Sequence, residues 1–243
     1  MLRILYSLYC MVLFCVLLLL LLPAFFFASF FGKVKGGNTF YAICSFWADC
    51  WLFLIGIRVK MSHLAGGSEQ RPCIFVANHI SYMDIPMIVK VIREPVRILG
   101  KYELSKVPIF GFVYKNAVVM VNRKDAEQRA KSVKTLKAVL AKGISIFIFP
   151  EGTFNITDQP LKDFYDGAFR IALETETPIQ PILFLDTVKR MHYKTVFSLT
   201  PGPSRAVYLP MVPVTGYTEN DTARLKADVH ALMEQKLVEL QHG

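Results

Sequence analysis

The stretch Ile74-Phe75-Val76-Ala77-Asn78-His79-Ile80-Ser81-Tyr82-Met83-Asp84 joins a short apolar run to a polar turn. The apolar run predicts a buried strand, and the turn leads into a helix from about Tyr82 to Arg93. His79 then emerges at the carboxyl end of a sheet strand, where open α/β sheets place their ligands. A histidine and a carboxylate five residues apart on that loop can meet. A neutral imidazole bonded to Asp84 through one nitrogen is fixed in one tautomer and made more basic, as a general base acting on a hydroxyl near pH 7 requires. The same residues carry a second reading. Ser81-x-x-Asp84 is also a capping box, in which Asp84 only answers Ser81 and His79 is a loop residue bound to backbone.

Downstream, strands and helices alternate. Strands are expected at Val96–Gly100, Val118–Val121, Ile144–Phe149, Ile179–Phe184, Tyr193–Leu199 and near Ala206–Val212. Between Gly100 and Val118 lies a loop rich in Lys and Pro. Helical spacing runs through Ala126, Ala130, Val133, Leu136, Val139 and Leu140, with Gly143 as a natural stop, and its many lysines read as a solvated face. A further helix is expected at about Phe164–Glu174. Leu225, Val229, Leu232, Met233, Leu237 and Leu240 mark an amphipathic closing helix over Thr222–Leu240. This alternation predicts an α/β fold, a largely parallel or mixed sheet covered by helices on both faces.

Upstream the chain changes character. From Ile4 to Phe31 it carries no charge, a run exceeding the ~20 residues needed to cross a bilayer, with Pro23 as a kink or break. Lys33 and Lys35 make a basic turn, and Phe40 to Ile57 is a second apolar stretch with Trp47, Trp51 and an interior Asp49 that suggests an interfacial or re-entrant helix. If both segments spanned, Lys33 and Lys35 would lie across the membrane from Arg58 and Lys60, against the positive-inside tendency. Residues 1–60 are therefore read as a two-helix membrane anchor that dips into one leaflet or spans once. His63 to Arg71, with Gly66-Gly67, reads as a polar linker, and residues 61–243 as one α/β domain.

Composition agrees with this division. Of 243 residues 53% are hydrophobic, with the excess concentrated at the N-terminus. Four of the five cysteines, Cys10, Cys15, Cys44 and Cys50, lie there too, so neither a disulfide framework nor a metal-binding spacing is expected, and the soluble domain belongs in a reducing compartment. A net charge of +9 favours anionic partners. Beside an apolar anchor these are lipid headgroups and a phosphorylated substrate, and no nucleic-acid-binding motif points elsewhere. The domain is expected to face the cytoplasm at the cell membrane.

Four candidate site residues follow predicted strands: His79, Lys101, Arg123 and Glu151. The carboxyl ends of parallel strands share an edge, so loops carrying a base, two cations and a carboxylate can face one crevice. Individually, Lys101 and Arg123 also read as solvated strand-end charges and Glu151 as a cap. Together they are less easily dismissed than singly.

Asn78-His79-x-x-x-x-Asp84, the Lys101 to Arg123 block with Pro108 and Gly111, Phe149-Pro150-Glu151-Gly152-Thr153, and Thr177-Pro178-Ile179-Gln180-Pro181 occur in this order. From about Cys73 to Pro181 the chain resembles the glycerolipid acyltransferases, specifically the bacterial 1-acyl-glycerol-3-phosphate acyltransferase type. The resemblance implies that His79 and Asp84 are the catalytic pair. It also implies that Lys101, Arg123, Glu151, Gly152 and Thr153 hold the acceptor's phosphate and glycerol, and that Pro178 belongs to the acyl region. Phe154-Asn155 follow Thr153 where many members have Arg-Ser, so the acceptor's identity stays open.

The implied reaction moves a fatty acyl group from acyl-CoA or acyl carrier protein to the sn-2 hydroxyl of lysophosphatidic acid, making phosphatidic acid in phospholipid synthesis, with no cofactor beyond the thioester co-substrate. Three rival readings are weighed against it. The acceptor could be another lysolipid, such as a lyso-aminolipid. The chain could be a hydrolase using Ser81 or Cys73 as nucleophile, although neither sits in a Gly-x-Ser-x-Gly elbow. It could also be a non-enzymatic lipid-binding protein, which leaves the four ordered motifs unexplained.

Overall fold

The computed structural model describes residues 1–64, 70–122 and 125–242, His242 by its backbone alone. The Gly66-Gly67 portion of the expected linker lies outside the described residues. The strands are β1 (Ile57–His63), β2 (Ile74–Ala77), β3 (Val96–Lys101), β4 (Val118–Val121), β5 (Ser145–Ile148), β6 (Ile179–Phe184) and β7 (Gly202–Tyr208). They form a seven-stranded sheet in the order β1-β7-β6-β2-β5-β3-β4. The five strands from β6 to β4 pair in parallel. Leu185 N–H donates to Arg205 O and Leu209 N–H to Pro181 O, so β7 runs antiparallel to β6. The helices are α1 (Leu2–Ala28), α2 (Gly37–Leu54), α3 (Asp84–Val91), α4 (Phe110–Ala117), α5 (Ala126–Leu140), α6 (Gly167–Glu174), α7 (Thr187–Arg190) and α8 (Thr222–His242). The fold is mixed α/β, a seven-strand sheet flanked by helices.

The chain divides into two compact units, the first comprising Met1–Ser62, His79–Pro95 and Phe184–Val207. Within it α1 and α2 form an antiparallel hairpin. Phe14 packs edge-on against Trp47 at 4.6 Å between centroids, Phe25 meets Phe40 at 5.2 Å, and Trp51 Nε1 donates to Cys10 O at 2.9 Å. The hairpin turns at Gly36, where a Cβ would lie 2.7 Å from Ala28 O, so only glycine fits. α2 also packs on α3. Tyr41 Oη donates to Ile92 O at 2.9 Å, and Asp49 takes Lys90 Nζ at 2.6 Å and both Arg93 terminal nitrogens at 2.9 Å. The interior charge of α2 is thus half of an ion-pair cluster joining two helices.

The second unit comprises His63–Asn78, Val96–Leu183 and Tyr208–Gly243. Ile74, Phe75, Val76, Ala77, Ile146 and Phe147 are fully buried, as strands covered on both faces require. α5 lies on β4 and β5, and α6 packs on β2 and on α8. α8 buries Leu225, Val229, Met233 and Leu237, one residue per turn along a single stripe. Gly100 and Gly111 permit close approach: a Cβ at Gly100 would strike Tyr114 Oη, and one at Gly111 would lie 2.3 Å from Ser105 O.

Several elements differ from the sequence reading. Tyr193–Leu199 is a looped segment ending in a short 3-10 turn rather than a strand. Its hydroxyls take the backbone groups a sheet ladder would use, Ser198 Oγ donating to Thr195 O at 2.6 Å and Thr195 Oγ1 accepting from Phe197 N at 3.2 Å. The α1 terminus completes the substitution, Arg3 donating to Ser198 O and Leu199 N–H to Ser7 Oγ. Pro23 does not break α1, which continues to Ala28. The last strand begins at Gly202, before the expected Ala206. β1 is an additional strand, and α4 forms directly after the Pro108 turn.

Candidate active site

His79 and Asp84 are the two ends of the turn between β2 and α3. His79 Nδ1 lies 2.8 Å from Asp84 Oδ2. The same Oδ2 accepts the amide protons of Ile80 at 2.8 Å and Ser81 at 2.9 Å. The expected capping box is not formed: α3 opens at Asp84 with no side-chain cap, Ser81 Oγ accepts from the Met83 amide, and of the reciprocal pair only the Ser81 amide bond to Asp84 is present. The carboxylate that gathers the amides of the turn is the carboxylate that meets the imidazole, and the backbone fixes where it stands. Asp84 is fully buried, while the His79 side chain keeps 14% of its surface. Asp84 Oδ1 takes no hydrogen bond among the described residues, so the carboxylate answers its neighbours through Oδ2 alone. With Nδ1 turned to Asp84, an imidazolium at His79 would face a carboxylate out of water, where its attraction is strongest.

The rival nucleophiles are committed elsewhere. Ser81 is fully buried, and its Oγ donates to Met191 O at 2.5 Å and accepts from Met83 N at 2.9 Å. Cys73 is fully buried at the start of β2, with its amide donating to Ser145 Oγ.

In the second unit, β2, β5 and β3 are neighbours, so Asn78, Glu151 and Lys101 follow strands whose carboxyl ends share an edge. Asn78 is fully buried, Lys101 is exposed, and Arg123, just past β4, lies outside the described residues. Glu151 is 1% exposed and its Oε2 accepts the Lys162 amide at 3.0 Å, which makes it the brace of a long loop. That loop opens at Gly152, whose φ of 72° suits glycine, and closes where Tyr165 N–H reaches Pro150 O at 2.9 Å. Thr153 is exposed, and its Oγ1 accepts from Lys162 Nζ at 2.8 Å. Asn155 folds the loop back: its Nδ2 donates to Gln159 O and Pro160 O, and its Oδ1 accepts from Thr157 N and Oγ1.

Pro178 stands apart. It precedes β6, and its carbonyl accepts Ile74 N–H at 2.9 Å, so it marks the amino edge of the parallel strands, opposite Glu151. Sequence reasoning missed Lys162 and Asn155. The signal for Lys162 was present, because it is the lone basic residue between Glu151 and Tyr165.

The chain is similar to known proteins over most of its length. A family model described as Acyltransferase matches residues 58–185. A 1-acyl-sn-glycerol-3-phosphate acyltransferase of Salmonella typhimurium is 31% identical over 194 residues, covering 77% of this chain and 76% of that protein. The human 1-acyl-sn-glycerol-3-phosphate acyltransferase beta is 28% identical, covering 82% of this chain and 72% of that one. The crystal structure of PlsC from Thermotoga maritima, a 1-acyl-sn-glycerophosphate acyltransferase, shares the fold with a TM-score of 0.80 at 21% identity, covering 98% of this chain and 96% of that one. A buried carboxylate holding a histidine on a strand-end turn thus sits inside the matched region, and the chain belongs to the acyltransferase family that includes the 1-acyl-sn-glycerol-3-phosphate acyltransferases.

Proposed function

We propose that the protein transfers a fatty acyl group from an acyl thioester, acyl-CoA or acyl carrier protein, to the sn-2 hydroxyl of 1-acyl-glycerol-3-phosphate, making phosphatidic acid. The observation that carries this reading is the 2.8 Å contact between His79 Nδ1 and Asp84 Oδ2, with Oδ2 fixed by two backbone amides. His79 Nε2 takes the hydroxyl proton as the oxygen attacks the thioester carbonyl. The C–S bond breaks, and the departing thiolate receives the proton from the imidazolium that Asp84 stabilises. A thioester is already activated, so the route needs no acyl-enzyme. Lys101 and Arg123 grip the acceptor's phosphate, Arg123 by bidentate contact. Glu151, Gly152 and Thr153 shape the loop that receives the glycerol. Pro178 acts by setting where β6 begins.

The helical stretch Leu2–Leu54 is long and apolar enough to enter or cross a membrane. Its exposed side chains include Leu20, Phe27, Phe31 and Phe53, an apolar surface that lipid covers. The anchor keeps the enzyme at the cytoplasmic lipid surface, where the acceptor resides.

The test uses membranes containing the full chain, supplied with labelled acyl-CoA or acyl carrier protein and with lysophosphatidic acid or a lyso-aminolipid. Labelled phosphatidic acid is the expected product. Acylation of the lyso-aminolipid alone, or free fatty acid as the sole product, overturns the reading.

A further inference from the structure

Ser81 is held on two sides. Its amide donates to Asp84 Oδ2 at 2.9 Å, while its buried hydroxyl donates to Met191 O at 2.5 Å and accepts from Met83 N at 2.9 Å. The His79–Asp84 turn closes over five residues, whereas the bond to Met191 spans 110, so it ties the turn to something outside itself. From Met191 the connection runs through the segment that sequence reads as a strand. The His192 amide donates to Ser198 Oγ at 2.7 Å, which brings Ser198 back beside Met191. Ser198 O then accepts Arg3 Nε at 3.1 Å and Nη2 at 2.6 Å, and the Leu199 amide donates to Ser7 Oγ at 3.1 Å. Ser7 is fully buried, and its own proton goes to Arg3 O at 2.8 Å. Every member of this chain of bonds belongs to the first unit.

We propose that residues 191–199 are a strap tying the amino end of α1 to the turn that carries His79, and that Ser7 and Arg3 are positioning residues for that base. The proposal rests on the reading of His79 as the base. The amide and hydroxyl of Ser81 belong to one residue, so a displacement of Met191 O moves the amide that fixes Asp84 Oδ2, and the imidazole follows the carboxylate. The strap is stiff because its joints at Ser7, Ser198 and Ser81 are buried polar groups, which are costly to leave unpaired. The helix at its far end is the apolar helix that meets lipid, so the seating of α1 and the geometry of the base are coupled.

The strap is tested in full-chain protein reconstituted in phosphatidylcholine vesicles, with lysophosphatidic acid and an acyl thioester varied separately. Ser7→Ala unpairs the Leu199 amide and is expected to lower kcat about 5- to 30-fold, short of the ~10²-fold that a misplacement of about 1 Å can cost, with both KM values within about threefold. Arg3→Met, at an exposed residue, should lower kcat in the same sense, and Arg3→Lys, which still donates to Ser198 O, should recover part of the loss. Ser29→Ala takes a hydroxyl from the opposite end of α1 and should leave kcat unchanged. In a Ser81→Ala background the Ser7→Ala change should have little further effect on kcat, because the strap is already cut. Hydrogen exchange gives a readout without turnover: Ser7→Ala should speed exchange of the Ile80 and Ser81 amides, while those of α2 and β5 keep their protection.

Unchanged kcat in Ser7→Ala and Arg3→Met overturns the strap and leaves the acyltransferase reading intact. Losses that add to that of Ser81→Ala, with exchange faster throughout the first unit, also overturn it and assign Ser7 to the stability of α1. Should Ser7→Ala fail to fold, Arg3→Met and Arg3→Lys decide by the same criteria. If His79→Ala keeps normal turnover, the base assignment falls and the positioning role with it.

Discussion

His79 Nδ1 and Asp84 Oδ2 are 2.8 Å apart, and the amides of Ile80 and Ser81 converge on that same oxygen. Orientation of the base and stability of the turn are therefore separable by mutation. His79→Ala removes the base and should lower turnover by about 10²–10⁴-fold with little change in lysolipid binding. Asp84→Asn leaves an oxygen for the two amides but removes the charge, so it should lose a comparable factor in rate and keep its Tm within a few degrees. Asp84→Ala orphans two N–H groups at about 1–3 kcal/mol each and should lose both rate and stability. Near-normal turnover of purified His79→Ala would falsify the assignment.

Ser81 answers a different question. A nucleophilic serine must present its oxygen to substrate, whereas Ser81 Oγ is buried between Met191 O and Met83 N. Ser81→Ala should cost about 1–3 kcal/mol of stability by leaving the Met83 amide and the Met191 carbonyl unpaired. Neither Ser81 nor Cys73 should carry acyl label after quenching a turnover mixture, as read by intact mass. An acyl adduct on either residue would restore the hydrolase route.

Asp186 and Arg205 form an ion pair in the first unit whose contribution depends on pH. Burial opposes ionisation of Asp186, but the hydrogen bonds and charge of Arg205 outweigh it, with Lys189 adding to them, and hold the carboxyl below its usual range. The contacts are 2.8 Å from Arg205 Nε, 3.1 Å from Nη2 and 3.1 Å from the Arg205 amide. A carboxyl depressed in the folded state stabilises above its unfolded pKa, near 4, and that contribution is lost as pH falls through the lower folded value. The guanidinium is 41% exposed, so the pair is worth about 1 kcal/mol after screening. Asp186→Asn should lower Tm by a few degrees at pH 7 and by much less near pH 3. An equal loss at both pH values would place the effect in packing rather than charge.

How far these features could be read from sequence depended on their range. The five parallel strands were legible because each is a short apolar run bounded by turn residues, and a strand buried on both faces needs nothing more. The His79–Asp84 contact was legible because it closes over five residues. β1 was obscured by Arg58 and Lys60 in an edge strand with a mostly exposed face, and α4 by Pro108, which ends one turn just before the helix begins. The presence of Lys162 was legible but its return to Thr153 was not, because that depends on a loop turn that Asn155 imposes, and the place of Pro178 was not because a motif's order along the chain does not say which end of a strand it occupies.

The Asp49 cluster makes the anchor's depth testable. Asp49 lies 12 residues into α2, about 18 Å along its axis, and it is held there by Lys90 and Arg93, while Tyr41 holds Ile92 about two turns earlier. Were α2 to span, this three-charge cluster would sit deep in hydrocarbon, where each charge is costly. A hairpin whose α2 face rests on α3 and whose α1 face met lipid within one leaflet would avoid that cost. Because α1 exposes apolar side chains along its length, 1 M salt should leave the protein on the membrane and detergent should release it. In sealed vesicles an impermeant amine label should reach Lys33, Lys35 and Lys60 from the same side. Asp49→Ala leaves Lys90 and Arg93 without their shared partner and should lower Tm with membrane attachment unchanged. Labelling of Lys60 with protection of Lys33 and Lys35 until the vesicles are opened would instead establish a two-span hairpin.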